Sequence, residues 1–320
     1  MRILITCPPM LRAIDRFRSI FAERGLEIVT PNVVQILTRD ELLALVPQFE
    51  GWIIGDDPAT AEIFEAGVAG KLRAAVKWGV GVDNVDFNAC KRLNIPISNT
   101  PGVFGREVAD IAMSYVTALA RQTVFVDAGV KSGQWPKPAG ISLAGRTAAL
   151  VGYGDIGRNT AKRLVAAEMN VVVYDPFLKA QADAAGYATA NWPEGVENVD
   201  FIVITCALTK ENRHMLNSLV LARCQPGVRV VNVARGPLID EAALCECLRT
   251  GHVHSAALEV FEIEPLPADS PLRAFSDRCI FGAHNSSNTI DAVTRTSLKA
   301  IDLISGFLLD SRGSDRRGDH

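Results

Sequence analysis

An arginine, a glutamate and a histidine stand at the ends of three successive apolar runs in the last third of the chain, and together they suit one kind of chemistry. Arg235 follows VVNVA (230–234), Glu264 closes VFEIE (260–264), and His284 follows FGA (281–283). A guanidinium stays charged and can grip a carboxylate with two parallel hydrogen bonds. A histidine gives and takes a proton near neutral pH, and a carboxylate on its other ring nitrogen would fix the tautomer and favour the imidazolium. Reduction of a 2-oxo acid asks a protein for such a cation and such a proton donor, provided that something else carries the hydride. Singly, each residue has an ordinary explanation: a surface ion pair, a loop carboxylate before Pro265, a satisfied polar group. Their recurrence at three strand ends is what points to a site.

The hydride carrier has its own signature at 147–175, TAALVGYGDIGRNTAKRLVAAEMNVVVYD. A buried strand (147–151) runs into Gly152-Tyr153-Gly154-Asp155-Ile156-Gly157, a helix covers 156–168, and a second strand (171–174) ends at Asp175. Gly152 permits the tight turn, Gly154 removes the Cβ that would block a pyrophosphate, and Gly157 lets the helix pack close to the strand. The N–H groups at the helix start then face an anion. A bare glycine pattern arises by chance, but here strand, helix and terminal acid are all in place. Asp175 can accept hydrogen bonds from both hydroxyls of an adenine ribose and would repel a 2′-phosphate, which predicts NAD over NADP.

The elements that must position these groups alternate along the chain. Strands are predicted at 3–6, 26–30, 52–54, 74–77 and 96–98, with helices at 11–24, 39–46, 59–66 and 85–93; this rhythm means a parallel sheet covered on both faces. After NTPG (99–102) comes a long helix at 106–122. Residues 123–142 lose the periodicity and gather Gly133, Trp135, Pro136, Pro138 and Gly140, an extended arm whose exposed Trp reads as an oligomer contact. Strands resume at 201–205, 229–233, 254–260 and 279–281, followed by a final helix at 289–309 and a polar tail, 310–320, expected to be disordered. The fold class is α/β, with two doubly wound sheets and ligands expected beyond their strand ends.

At 320 residues and 48% hydrophobic, the chain suits two domains. A net charge of −3 leaves no basic footprint for nucleic acid. MRILITC reads as a first strand and not a signal peptide, and no apolar run is long enough to span a membrane, so a cytoplasmic protein with no membrane partner is expected. The seven cysteines show no CxxC and no histidine at ligand spacing; reduced thiols are expected, with no metal.

These landmarks resemble the D-isomer-specific 2-hydroxyacid dehydrogenases: GVGVDNVD (79–86), NTPG, EVAD (107–110), GYGDIGR (152–158), LTKENRHMLN (208–217), VNVARGPLID (231–240), VFEIEPLP (260–267) and the His284 segment. The resemblance implies a Rossmann-type cofactor domain (100–287) inserted in a flavodoxin-like substrate domain (1–99 and 288–320), with hinges near Thr100 and Asn288. It implies that Arg235, Glu264 and His284 are catalytic and that N–H groups around Val80 and Gly81, with Arg235, hold the substrate. Gly152, Gly154, Asp155, Ile156, Gly157, Asp175, Val233, Ala234, Arg235, Glu259 and His284 would meet NAD, and a homodimer would form on the cofactor domains.

The chain departs from the pattern at Glu259, where the family usually has Asp, at Ala207 in place of a proline, and in the Asn-Ser-Ser-Asn after His284. The predicted activity is reversible hydride transfer between NAD(H) and a small 2-oxo or 2-hydroxy acid such as phosphoglycerate, hydroxypyruvate or glyoxylate. An NAD-sensing scaffold or corepressor on the same fold is the competing reading, and formate or phosphite oxidation has no assignable feature. The loop Gly55-Asp56-Asp57-Pro58 is acidic where a phosphate site would offer arginines, though it also reads as a solvated turn, and Lys71 and Arg73 could serve instead.

Overall fold

The computed structural model describes residues 1–315 and divides into two compact units, Met1–Val103 with the chain from Asn288 onward, and Phe104–Ser287. In the first unit, β1 (Arg2–Ile5), β2 (Glu27–Val29), β3 (Gly51–Ile54), β4 (Ala74–Lys77) and β5 (Ile97–Asn99) pair in parallel in the order β2-β1-β3-β4-β5. This is the flavodoxin-like order. β3 and β4 are buried along their whole length, as a strand covered on both faces must be. One face packs Leu4, Trp52, Ile54 and Ala75 against Leu42, Ile63, Phe64 and Ala89. On the other, the last helix, Ile290–Asp315, lies close enough that a Cβ on Gly51 would meet Ile304 at 3.2 Å.

The second unit is a seven-stranded parallel sheet. Its strands are β6 (Thr147–Val151), β7 (Asn170–Tyr174), β8 (Ala188–Thr189), β9 (Phe201–Ile204), β10 (Val228–Asn232), β11 (Val253–Leu258) and β12 (Cys279–Phe281), in the order β12-β11-β10-β9-β6-β7-β8. The strand order reverses between β6 and β9, which is the switch point where a doubly wound sheet leaves a crevice for a ligand. Helices Gly105–Arg121 and Asp155–Ala166 pack on one face, and Ile202, Ile204, Val230 and Leu258 face Leu216, Leu221, Leu244 and Leu248 on the other.

Several expectations need correction. The arm begins as a helix, Thr123–Lys131, because Gln122 takes a left-handed φ of 54° that ends one helix and starts the next in a new direction. The rest of the arm folds back onto it, with a Gly129 Cβ only 2.6 Å from Pro136. The helix expected at 11–24 is three short pieces, Pro8–Arg12, Ile14–Arg16 and Arg18–Glu23, whose turns keep Met10, Ile14, Phe17 and Phe21 buried. The last helix continues to Asp315, and the remainder of the tail lies outside the described residues. β8 and the helices Lys179–Ala184 and Ser218–Arg223 were not foreseen. No helix among the described residues is long and apolar enough to cross a membrane.

Candidate active site

The glycine turn lies at the switch point of the second sheet. Gly152 has φ +97°, and a Cβ there would sit 2.6 Å from the Cys206 nitrogen at the end of β9. Gly157 is tighter, since its Cβ would fall 2.1 Å from the Gly152 carbonyl oxygen and 3.1 Å from Thr205 Oγ1. Gly154 differs in kind: a Cβ there would meet nothing within 4 Å. Its open side is room for a ligand next to the start of helix Asp155–Ala166, whose N-terminus no side chain caps. Asp155 and Ile156 provide the first N–H groups of that turn. The Asp155 carboxylate packs against Gly105, where a Cβ would come within 2.4 Å, so the backbone rather than the carboxylate is offered to an anion. These features fit a dinucleotide pyrophosphate. Gly157→Ala is expected to destabilise the fold by about 2 kcal/mol or more, because the added carbon meets backbone that cannot swing away; an unfolding midpoint equal to the parent's would show that the turn yields freely.

Asp175 ends β7 with its carboxylate already engaged. Oδ2 accepts the Tyr153 N–H at 2.8 Å, and Oδ1 accepts those of Phe177 and Leu178 at 2.8 and 2.9 Å. A carboxylate offers about four lone-pair sites. The arrangement fixes the carboxylate and still leaves an acceptor direction on Oδ2.

Arg235 follows β10 in a turn built by Asn232, whose amide donates to the Arg235 carbonyl at 2.8 Å and whose Oδ1 accepts the Ala234 N–H at 3.0 Å. Val233 and Ala234 are buried, and the half-buried guanidinium donates to the Ala234 carbonyl at 2.8 Å. Gly236 carries this loop onto the next one: a Cβ there would lie 1.9 Å from the Phe261 carbonyl carbon. Backbone contact thus joins the arginine loop to the segment bearing Glu264. Glu264 Oε1 accepts the Phe261 N–H at 2.9 Å, which turns Oε2 to His284 Nδ1 at 2.7 Å. Both side chains are about three-quarters buried, with exposures of 26% and 29%. A bond so shielded is screened far less than a surface pair. The structure therefore brings Arg235, Glu264 and His284 to the strand ends of one sheet.

Glu259, expected to meet NAD, is 3% exposed, and its carboxylate accepts the Tyr115 hydroxyl and the Asn285 N–H beneath Gly282. Tyr115, Asn232 and Gly236 escaped the sequence reading. Only Gly236, inside an ARGP turn, left a signal, since a glycine between two site loops suggests close approach.

In the first unit, Thr100 clamps the turn after β4. Its Oγ1 accepts the Gly79 N–H at 2.8 Å, its N–H donates to the Gly79 carbonyl at 3.0 Å, and Asn99 donates to the Val80 carbonyl at 2.9 Å. Among the described residues the Val80 and Gly81 N–H groups meet no acceptor. Two such donors in succession fit a carboxylate. The loop at 55–58 is not a solvated turn. Asp57 is fully buried, accepting from Leu37 N–H at 2.8 Å, from Gly55 N–H at 3.2 Å and from the Thr6 hydroxyl, and burial pushes its carboxyl above the ordinary range. Lys77 Nζ, also buried, donates to the Gly55 carbonyl at 2.6 Å and to Asp56 at 3.0 Å.

Comparison with known proteins agrees with this geometry. Residues 113–286 match the NAD binding domain of the D-isomer specific 2-hydroxyacid dehydrogenases. The chain is 35% identical over 296 residues to D-3-phosphoglycerate dehydrogenase of Archaeoglobus fulgidus, a match covering 91% of this chain and 54% of that protein. It is 34% identical over 273 residues to hydroxypyruvate reductase of Thermotoga maritima, covering 84% of this chain and 88% of that one. A Thermus thermophilus protein of known crystal structure superposes with a TM-score of 0.85 at 31% identity, across 97% of both chains. The chain spans about half the length of the phosphoglycerate dehydrogenase and most of the length of the reductase. With the sheet order, the glycine turn and the matched domain in agreement, the chain belongs to the D-isomer specific 2-hydroxyacid dehydrogenase family and carries that family's NAD-binding domain.

Proposed function

We propose that the protein is an NAD-dependent D-2-hydroxyacid dehydrogenase interconverting a small 2-oxo acid and its D-2-hydroxy acid. The observation that carries this reading is the 2.7 Å bond from Glu264 to His284 Nδ1, formed at the strand ends that also hold Arg235. Bound NAD(H) supplies the hydride chemistry, and the remaining tasks fall to the chain. Arg235 grips the substrate carboxylate and polarises the carbonyl oxygen. His284 Nε2 donates a proton to that oxygen on reduction and takes it back on oxidation. Glu264 keeps Nδ1 protonated and offsets the ring's positive charge. Val233 and Ala234 line the nicotinamide side, and Val80 and Gly81 are the carboxylate-binding element of the first unit.

Hydroxypyruvate, glyoxylate and phosphohydroxypyruvate are the substrates to try first. Lys77, the lysine beside Asp56, is buried and already engaged by the Gly55 carbonyl and Asp56, which favours the unphosphorylated acids. A cytoplasmic homodimer completes the proposal. Its support is the apolar surface of Val124, Phe125 and Val130 on helix Thr123–Lys131, with Trp135 at 75% exposure, and seven free thiols.

The test is NADH oxidation across a panel of 2-oxo acids with chiral analysis of the product. Turnover to a D-hydroxy acid is expected. Tight NADH binding with every acid inert would leave a nucleotide-binding scaffold instead. Cofactor choice gives a second check: the parent should prefer NADH, and Asp175→Ala should erase most of that preference by removing the charge that repels a 2′-phosphate. Equal kcat/KM with NADPH in the parent protein would refute the assignment of Asp175.

A further inference from the structure

Beneath the His284 turn a buried glutamate and a partly buried tyrosine form a pair that the proposed reaction leaves without a task. Glu259 follows β11, and Tyr115 stands in the middle of helix Gly105–Arg121. The Tyr115 hydroxyl donates to Glu259 Oε2, and the Asn285 N–H donates to Oε1. The Glu259 carbonyl accepts the His284 N–H at 2.9 Å. Two consecutive N–H groups of the turn thus end on one residue, and the far side of that residue is anchored to a helix. Gly282 fits the turn onto the pair, for a Cβ there would lie 2.0 Å from Glu259 Oε2 and 2.7 Å from the Tyr115 oxygen. The turn needs such anchoring: His284 has φ +50°, in the left-handed region that a side chain enters at a cost. Burial, with Glu259 adding to it, pushes the Tyr115 phenol well up, so it remains a donor across the working pH range.

We propose that Tyr115 and Glu259 are positioning residues for His284, holding the turn in the conformation that directs Nδ1 to Glu264, and that Glu259 serves this task instead of touching the nicotinamide. The length of the side chain is the reason for glutamate at this position. An aspartate, one methylene shorter, would not reach Tyr115 and the Asn285 N–H together. The inference rests on the dehydrogenase reading for its kinetic consequences, but the geometry of the turn can be read without turnover.

The experiment compares the parent with Tyr115→Phe, Glu259→Gln and Glu259→Asp, measuring kcat, KM for the 2-oxo acid, NADH affinity, thermal stability, and the long-range ¹⁵N couplings of the His284 ring that report its tautomer. Tyr115→Phe is expected to lower kcat about tenfold with NADH affinity within about twofold of the parent and a changed ring signature. Glu259→Gln keeps the reach and should retain more kcat than Glu259→Asp, which keeps the charge. Parent-like kcat and ring couplings in Tyr115→Phe would overturn the proposal, as would a loss of thermal stability with no change in either. NADH affinity that falls in both Glu259 variants while Tyr115→Phe behaves as the parent would return Glu259 to the cofactor. If the parent reduces no 2-oxo acid, altered ring couplings in Tyr115→Phe still support the positioning pair, and the dehydrogenase reading alone fails.

Discussion

Arg235→Lys is expected to lower kcat for 2-oxo acid reduction by about a hundredfold while NADH binds almost as before. Lysine preserves the charge, so whatever is lost belongs to geometry. The guanidinium projects from a turn whose backbone is fixed by one hydrogen bond donated by the Asn232 amide and one accepted by it, and is pressed against Phe261 through Gly236. A planar group on so rigid a base presents parallel N–H donors to a carboxylate and a neighbouring carbonyl at once. An ammonium reaches one acceptor well and carries a tighter water shell into the site. The carbonyl contact strengthens as its oxygen gains charge, so the deficit should appear in kcat more than in KM. In the proposed reading most of the cofactor contacts come from the glycine turn, the helix start and Asp175, which the substitution does not touch. Stopped-flow reduction of hydroxypyruvate or glyoxylate, alongside fluorescence titration with NADH, measures both quantities. Full activity in Arg235→Lys would remove the forked contact from the mechanism.

The arrangement around Arg235 also shows what a one-dimensional reading can reach. Arg235, Glu264 and His284 were legible because each ends a short apolar run, and in a parallel sheet such ends share one edge whatever the lengths of the connections between them. The glycine turn was legible for the same reason, since steric need at Gly152 and Gly157 is set by neighbours close in sequence or on the adjacent strand. The direction of the Glu259 side chain was not legible, because it is decided by Tyr115, 144 residues away, and by the absence of a side chain at Gly282. No local pattern carries that information. Asp57 was misread: an acid in an Asp-Asp-Pro loop looks solvated, yet Thr6, Leu37 and Gly55 supply donors from three separate segments and permit its burial. Helix Thr123–Lys131 was missed because TVFVDAGVK is rich in β-branched residues and follows directly on another helix, so packing rather than propensity shapes it.

His284→Ala should cost at least as much as the arginine change, in both directions of the reaction, and Glu264→Gln gives the sharper test because it leaves the ring in place. Glu264 lies 2.7 Å from Nδ1 and is itself held by the Phe261 N–H, so its charge acts on the ring at fixed distance. A neighbouring negative charge stabilises the imidazolium. Glutamine keeps the shape and can accept the Nδ1–H bond, but it gives up the charge, and the ring then loses its proton at lower pH. Reduction requires the protonated ring, so its rate falls on the alkaline side, and that limb should move to lower pH. Oxidation requires the neutral ring, so its rate falls on the acid side, and that limb should move in the same direction by a similar amount. At neutral pH, Glu264→Gln is therefore expected to reduce 2-oxo acids slowly while oxidising hydroxy acids comparatively well, an asymmetry that a merely destabilised site would not produce. The profiles should be measured with deuterated NADH, so that an isotope effect confirms hydride transfer as the limiting step. Limbs that stay where the parent has them, under that condition, would reduce Glu264 to an anchor for the ring and leave the proton's affinity for His284 to be explained by other groups.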